Sequence, residues 1–361
     1  MTRSIFIEEF NIENYKLFYD LQVKELNRVN LITGKNNVGK TSLIESIFLA
    51  LGPTNPALWA KISSWRGLDR VSPKQSTVPY FFPKLNTSHP ITFNVSASGN
   101  FHYKVQMRFG ESTTLQSSAS KNQSRKVSSQ ETVSIEDLEE TRSVQLSYIP
   151  NKGKRRDSIA TITRGEVEFT GAKELPFAES IFIRPGLNTK EISNPERYTR
   201  LNKKDRIPEF EKHLKFVEPN LLRTGLGVEN DETMIMGDVG YGLVPLSLLG
   251  SGMFRLTTIL LSIANYPNAV VLIDEIEYGF HHTIFEKVWH AIAEFAAEYN
   301  TQIIATTHND ECIATAHKVF KDRGLYDFHL HRLVRRQERT EIFGFDREQI
   351  EASLESGWEL R

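Results

Sequence analysis

The sequence predicts an α/β fold with a mixed central sheet, and three stretches predict it. The first is the apolar run Val29-Asn30-Leu31-Ile32-Thr33, followed by a loop that begins and nearly ends on glycine, residues 34–41. Residues 41–51 come next, with apolar side chains at 43, 44, 47, 48 and 51 in helical spacing. The second is residues 269–273, all apolar, which close on Asp274 and Glu275; buried parallel strands read this way. The third is residues 302–308, a further buried strand with a polar tip at His308.

Taken in order, residues 4–12 alternate as a strand and residues 16–23 read as its hairpin partner, leading into the first apolar run. Gly52-Pro53-Thr54-Asn55-Pro56 stops the helix. Residues 53–90 are loop-rich, with Trp59 and Trp65 read as packing. From Ile91 the pattern turns to period two, and residues 92–97, 101–109, 144–149 and 159–163 are expected as strands of a β-rich insertion over about 90–175. Within it, residues 111–134 are rich in Ser, Thr and Gln and lack the apolar side chains that offset ordering entropy, so a mobile loop is expected. The basic run 151–156 reads as an exposed hairpin turn. Residues 182–185 are expected to return to the main sheet, 208–222 to form a helix, and 234–236 with 241–245 to form a hairpin. Phe285, Val288, Trp289, Ile292, Phe295 and Tyr299 mark a buried helical stripe. A helix, a strand at 328–333, a hairpin and a final helix complete one domain, 1–361. Its first lobe is 1–52 and its last is 245–361.

Composition is that of a globular protein: 39% hydrophobic and 25% charged residues in 361. No run of eighteen apolar residues exists, and Arg3, Glu8 and Glu9 charge the N-terminus, so neither a membrane span nor a secretory leader is expected. A single cysteine, Cys312, fits a reducing cytoplasmic setting. Lys plus Arg (44) nearly balance Asp plus Glu (45), so nucleic-acid binding would need a local patch or a dimer groove. The run Arg332, Arg335, Arg336 and Arg339 is read as a solvated strand edge, and His308, Cys312 and His317 do not make a metal cluster.

Gly34-Lys35-Asn36-Asn37-Val38-Gly39-Lys40-Thr41 fits G-x-x-x-x-G-K-[ST], the P-loop. Its backbone N–H groups, with those opening the helix at Ser42, form a nest for nucleotide phosphates. Lys40 is expected at the β- and γ-phosphates, and the Thr41 hydroxyl on Mg²⁺. Asp274 is expected to hold the same Mg²⁺, directly or through water, as the Walker B acid. Glu275 is placed to orient or deprotonate the attacking water. His308 follows the next strand and is read as a γ-phosphate or water sensor. The cofactors expected are therefore ATP and Mg²⁺, and the fold is a P-loop NTPase.

Residues 274–281 (Asp-Glu-Ile-Glu-Tyr-Gly-Phe-His), with Thr306-Thr307-His308-Asn309, resemble the ABC-type ATPases related to OLD-family proteins. RecF and SMC heads are more distant relatives. Residues 10–18, 51–56 and 353–361 are similar as well, so the resemblance spans the chain. It implies an ABC ATPase head whose signature loop precedes Walker B, and residues 246–255 occupy that place. Ser251 and Gly252 would contact nucleotide held by a second head, although Met253 stands where Gln or Glu is usual, and Ser247 competes with Ser251 for the signature role. The Q-loop glutamine has no clear position; Gln106 is one candidate. SMC-type coiled coils and a Toprim nuclease domain are not read in these residues. The resemblance implies ATP-sandwiched homodimers or larger homo-oligomers. It also implies a sensor or scaffold role in bacterial anti-phage or toxin–antitoxin-like systems, with a nuclease or toxin as a separate effector chain. A RecF-like DNA-repair ATPase and a slow ATP-gated switch that sequesters a toxin are the alternatives.

Overall fold

A computed structural model describes residues 6–68, 77–111, 142–162, 167–171, 179–186, 194–229, 231–357 and 359–360. Strand β3 (Val29–Thr33) feeds the P-loop and helix α1 (Lys40–Leu51). Every residue of β3 is buried, as is every residue of β13 (Val270–Ile273) and β14 (Gln302–Thr306). These three are the middle of a six-stranded sheet completed by β9 (Ser180–Ile183), β15 (Phe328–Arg336) and β16 (Arg339–Phe345). Its order is β16-β15-β3-β14-β13-β9. All pairings in it are parallel except the β15–β16 hairpin. Continuous apolar strands follow from having both faces covered.

One face carries an antiparallel sheet of seven strands, ordered β2-β1-β4-β5-β6-β7-β8. It is built from β1 (Ile7–Tyr15), β2 (Phe18–Val23), β4 (Ile91–Ala97), β5 (Phe101–Glu111), β6 (Arg142–Pro150), β7 (Arg156–Ile162) and β8 (Val167–Gly171). Helix α1 lies between the two sheets, which is why Ser42 through Leu51 are all buried rather than forming one stripe. Val270 and Leu272 point into this core, whereas Val271 and Ile273 point into the other one, as the two-residue period of a strand requires. Gln302 stitches the sheets together: Ile7 N–H donates to its Oε1 at 2.9 Å, and its Nε2 donates to Ile7 and Asn27 carbonyls at 2.8 and 3.0 Å.

The opposite face is covered by α3 (Asn194–Asn202), α4 (Ile207–Leu214), α5 (Ser251–Asn265), α6 (Phe285–Glu298), α7 (Asp310–Asp322) and α8 (Arg347–Glu355). Helix α2 (Ala57–Trp65) packs beside α1. A ribbon of β10 (Arg223–Glu229), β11 (Glu232–Asp238) and β12 (Leu243–Pro245) leads into α5.

Several expectations change. The strands over 90–175 extend the sheet of the N-terminal hairpin, because β4 pairs with β1. The helix expected over 208–222 ends at Leu214, and Glu218-Pro219 lies in the turns that follow, since the residue before proline resists α geometry. Helices α2, within the stretch 53–90 read as loop-rich, and α3, and strands β8 and β10, were not anticipated. The arginine run is not on an edge strand alone: β15 is paired on both sides and only Arg339 lies on the edge strand β16. The stretch read as a mobile loop lies, apart from Glu111, outside the described residues. Among the described residues no helix is long and apolar enough to cross a membrane.

Candidate functional site

The turn from β3 into α1 has three residues at positive φ: Gly34 (140°), Asn37 (62°) and Gly39 (103°). Gly34 is required on two counts, because a Cβ there would meet the Leu333 carbonyl oxygen at 2.5 Å and Val38 Cγ2 at 2.9 Å. Asparagine tolerates the left-handed region better than most side chains, which explains Asn37. Lys35, Asn36 and Asn37 are exposed, whereas Val38 is buried in the core, so its side chain is not available to a ligand. Lys40 folds across the loop and donates to the carbonyls of Gly34 at 2.5 Å and Lys35 at 3.0 Å. Burial lowers its pKa, opposed by the charges of Glu277, Asp274 and Glu275 in that order.

Parallel pairing brings the carboxyl ends of β3, β13 and β14 side by side, the edge at which open α/β sheets do chemistry. Asp274, nearly buried, follows β13. Its carboxylate accepts from Thr41 Oγ1 at 2.9 Å and from Thr306 Oγ1 at 2.6 Å. An alcohol oxygen and a carboxylate in contact are hard oxygen donors of the type Mg²⁺ prefers. Glu275 has φ 50°, and its N–H donates to Thr306 Oγ1 at 2.8 Å. Beneath both acids lies Arg255 of α5, whose guanidinium donates to the carbonyls of Arg184, Asp274 (2.7 Å) and Glu275 (3.2 Å). Burial pulls its pKa down to about 10, against the opposing pull of Asp274, Glu277 and Glu275.

An open cavity of ≈ 760 Å³ unites the predicted Asn36, Asn37, Gly39, Lys40, Thr41, Ser42, Asp274 and Glu275. Its remaining wall is Leu17, Glu45, Trp65, Arg66, Phe182, Arg184 and Pro185. Trp65 is thus a wall of the site as well as a packing residue, and Arg184 stacks on it with its guanidinium carbon 4.7 Å from a ring centroid. Buried Glu45 pairs with Lys16 and, at 2.8 Å, with Arg66. A neighbouring cavity of ≈ 440 Å³ shares Leu17, Ser42 and Arg66 and is walled by Tyr80, Phe81 and Phe82.

His308 and the signature residues are not among the walls of the larger cavity. His308 sits just past β14, half exposed, with Nδ1 3.0 Å from Glu277 Oε1. Ser251 opens α5 and borders a different cavity with Phe254, Arg255 and Tyr278. Gly252 is buried, and a Cβ there would meet the Gly279 carbonyl at 2.8 Å. Met253, at the position usual for Gln or Glu, is fully buried in the core. Gln106 lies on β5 in the antiparallel sheet, against Thr92, away from the cavity. Cys312 is buried with its thiol pushed up to about 12, His317 contacts Tyr326, and no three metal-ligating side chains cluster among the described residues. Glu277, Thr306 and Arg255 were not anticipated as site residues; their partners lie 19 to 71 residues away in sequence.

A phosphate nest, a P-loop lysine and a strand-end acid touching the P-loop threonine define a P-loop ATPase built on an ABC-like head. The chain belongs to the family described as AAA domain, putative AbiEii toxin, Type IV TA system, which matches residues 29–314. It is similar to an "ATP/GTP phosphatase" of Helicobacter pylori, 20% identical over 335 residues that cover 88% of this chain and 89% of that protein. The DNA replication and repair protein RecF of Bacillus cytotoxicus is 31% identical over 96 residues, 26% of this chain and 24% of that one. Among solved structures, an SMC head bound to the C-terminal winged-helix domain of ScpA aligns with TM-score 0.52 at 13% identity, covering 97% of this chain and 99% of that chain. An SMC head with an extended coiled coil, bound to the C-terminal domain of ScpA from Pyrococcus furiosus, gives 0.52 at 12% identity, covering 98% and 99%. At such identities the likeness is one of fold.

Proposed function

We propose that the chain is an OLD-like, Mg²⁺-dependent ATP hydrolase whose heads pair around ATP. One observation carries this reading. The phosphate nest, Asp274 and Glu275 share one cavity, while Ser251 lies on another, so a signature contact to nucleotide needs a second head. Lys40 binds the β- and γ-phosphates, the backbone of residues 34–42 holds them, and Thr41 with Asp274 supplies oxygen ligands. Bound Mg²⁺ screens charge on the phosphoryl oxygens. Glu275 takes the proton of the attacking water, or orients it, and His308 contacts the γ-phosphate end. Ser251, with the first N–H groups of α5, meets the γ-phosphate on the opposing head. The phosphatase name of the Helicobacter relative supports nucleotide hydrolysis.

The toxin–antitoxin description of the family supports a cytoplasmic sensor or scaffold subunit in bacterial defence, with a toxin or nuclease on another chain. The partial match to RecF favours a second reading, duplex DNA in the groove between heads. It requires a DNA affinity that falls steeply with salt. Mass photometry with Mg-ATP tests the head pairing. Glu275→Gln is expected to trap a dimer or larger assembly that Lys40→Ala cannot form. A size that never responds to ATP while phosphate is released would overturn the paired-head mechanism.

A further inference from the structure

We propose that Glu277 is the positioning residue of His308, fixing the proton of its imidazole on Nδ1 so that Nε2 is the nitrogen available to the reacting phosphate and water. The inference rests on the reading of this site as an ATP hydrolase. Glu277 is nine-tenths buried, two residues past Glu275. Its main chain is fixed by Ile276, whose N–H donates to the Thr306 carbonyl at 2.9 Å. That tie turns Glu277 toward the end of β14, where one carboxylate oxygen, Oε1, accepts the backbone N–H of one residue and also faces a nitrogen of its ring. The His308 backbone N–H lies at 2.9 Å and its ring Nδ1 at 3.0 Å. An ionised carboxylate has no proton to give, so the ring nitrogen facing it carries the hydrogen. Neutral imidazole then presents an unprotonated Nε2, an acceptor for a water proton; once protonated, the same nitrogen donates to phosphate. A carboxylate also stabilises the imidazolium that forms.

The second oxygen, Oε2, is buried and has no hydrogen-bond partner among the described residues. A carboxylate kept there at that cost, where an amide would serve as a mere backbone tie, points to a need for its charge. The titratable groups around it are the cations Lys40 of the P-loop and Arg255 of α5 and the neutral Cys312 thiol of α7. Each feels Glu277. Glu277 could therefore act through Lys40 instead, and the test separates the two routes.

The experiment is a double-mutant cycle on steady-state ATP hydrolysis, with Glu277→Gln, His308→Ala and the double variant. Glutamine keeps an acceptor for the His308 backbone and removes the charge. The expected result is a kcat lower by about tenfold or more with KM for ATP little changed, and no further loss on adding Glu277→Gln to His308→Ala. A full penalty in the His308→Ala background, or wild-type kcat in either single variant, overturns the proposal. Should Glu277→Gln fail to fold, nitrogen-15 NMR of the wild-type imidazoles in alkaline buffer decides, His308 being assigned by its loss in His308→Ala. The proposal requires Nδ1–H, and an Nε2–H tautomer refutes it. Lys40→Ala is the independent control: if it still hydrolyses ATP, the reading of the site itself fails, whatever the cycle shows.

Discussion

Thr306→Val separates the geometry of the acid pair from its chemistry. The Thr306 hydroxyl is wholly buried, donates to Asp274 Oδ1 at 2.6 Å and accepts the Glu275 N–H at 2.8 Å. Valine fills nearly the same space, so the loss is polar. A hydrogen bond to a charged carboxylate contributes roughly 1.5–3 kcal/mol and a neutral one about 1 kcal/mol, giving about 3 kcal/mol in total. In a chain of this length that lowers Tm by about 5 °C. Activity should fall too. Glu275 is held at φ 50°, a conformation that costs a non-glycine residue about 1 kcal/mol or more, and Thr306 is the side chain that pins its amide. Freed of that bond, the backbone relaxes and the carboxylate leaves its position, so kcat should drop about tenfold, a rise of about 1.4 kcal/mol in the barrier. The assay pairs thermal unfolding with phosphate release. A Tm unchanged to within about 1 °C together with wild-type kcat would refute the assignment of Thr306 as the brace of the acid pair.

Gly252→Ala puts a methyl group 2.8 Å from the Gly279 carbonyl; it should displace the start of α5, preserve ATP binding measured by calorimetry, and abolish the ATP-dependent size increase. Glu45→Gln removes the charge that Lys16 and Arg66 share; with Arg66 partly solvated, a loss of about 2–4 kcal/mol is expected in denaturant unfolding. His331 is fully buried in β15, and burial pulls its pKa down to about 3. The unfolded chain therefore binds a proton that the folded chain refuses. Its contribution is whole above about pH 6.5 and is lost progressively from there toward pH 3, at about 1.4 kcal/mol per pH unit. Replacing His331 with leucine should flatten the fall of Tm between neutral and mildly acid buffer, and an unchanged slope would count against it.

What was legible in the sequence was what local pattern encodes. β3, α1, β13 and β14 combine unbroken apolar runs with loop chemistry, and each was placed to within a residue or two. Helix α3 escaped because only Asn194, Tyr198 and Leu201 of its nine residues are buried, too few for a stripe. β10 carries two glycines and is largely exposed, so it lacks a strand's alternation. The union of the N-terminal hairpin with β4 is a pairing across some eighty residues, which no local pattern records. The same holds for the site. Gly34, Lys40, Thr41 and Asp274 were visible because motif spacing fixes their places. Glu277, Thr306 and Arg255 hold the acids and His308 through contacts between elements, and were visible only once the strands lay side by side.

The central claim is that Glu275 acts on water at a nucleotide held by Lys40 and the loop around it. Phosphate release at saturating Mg-ATP, measured alongside ATP affinity in Glu275→Gln, tests it most directly. The account predicts hydrolysis reduced at least about a hundredfold with ATP bound as tightly as by the wild type. Turnover near the wild-type rate in that variant, with its affinity intact, would contradict it.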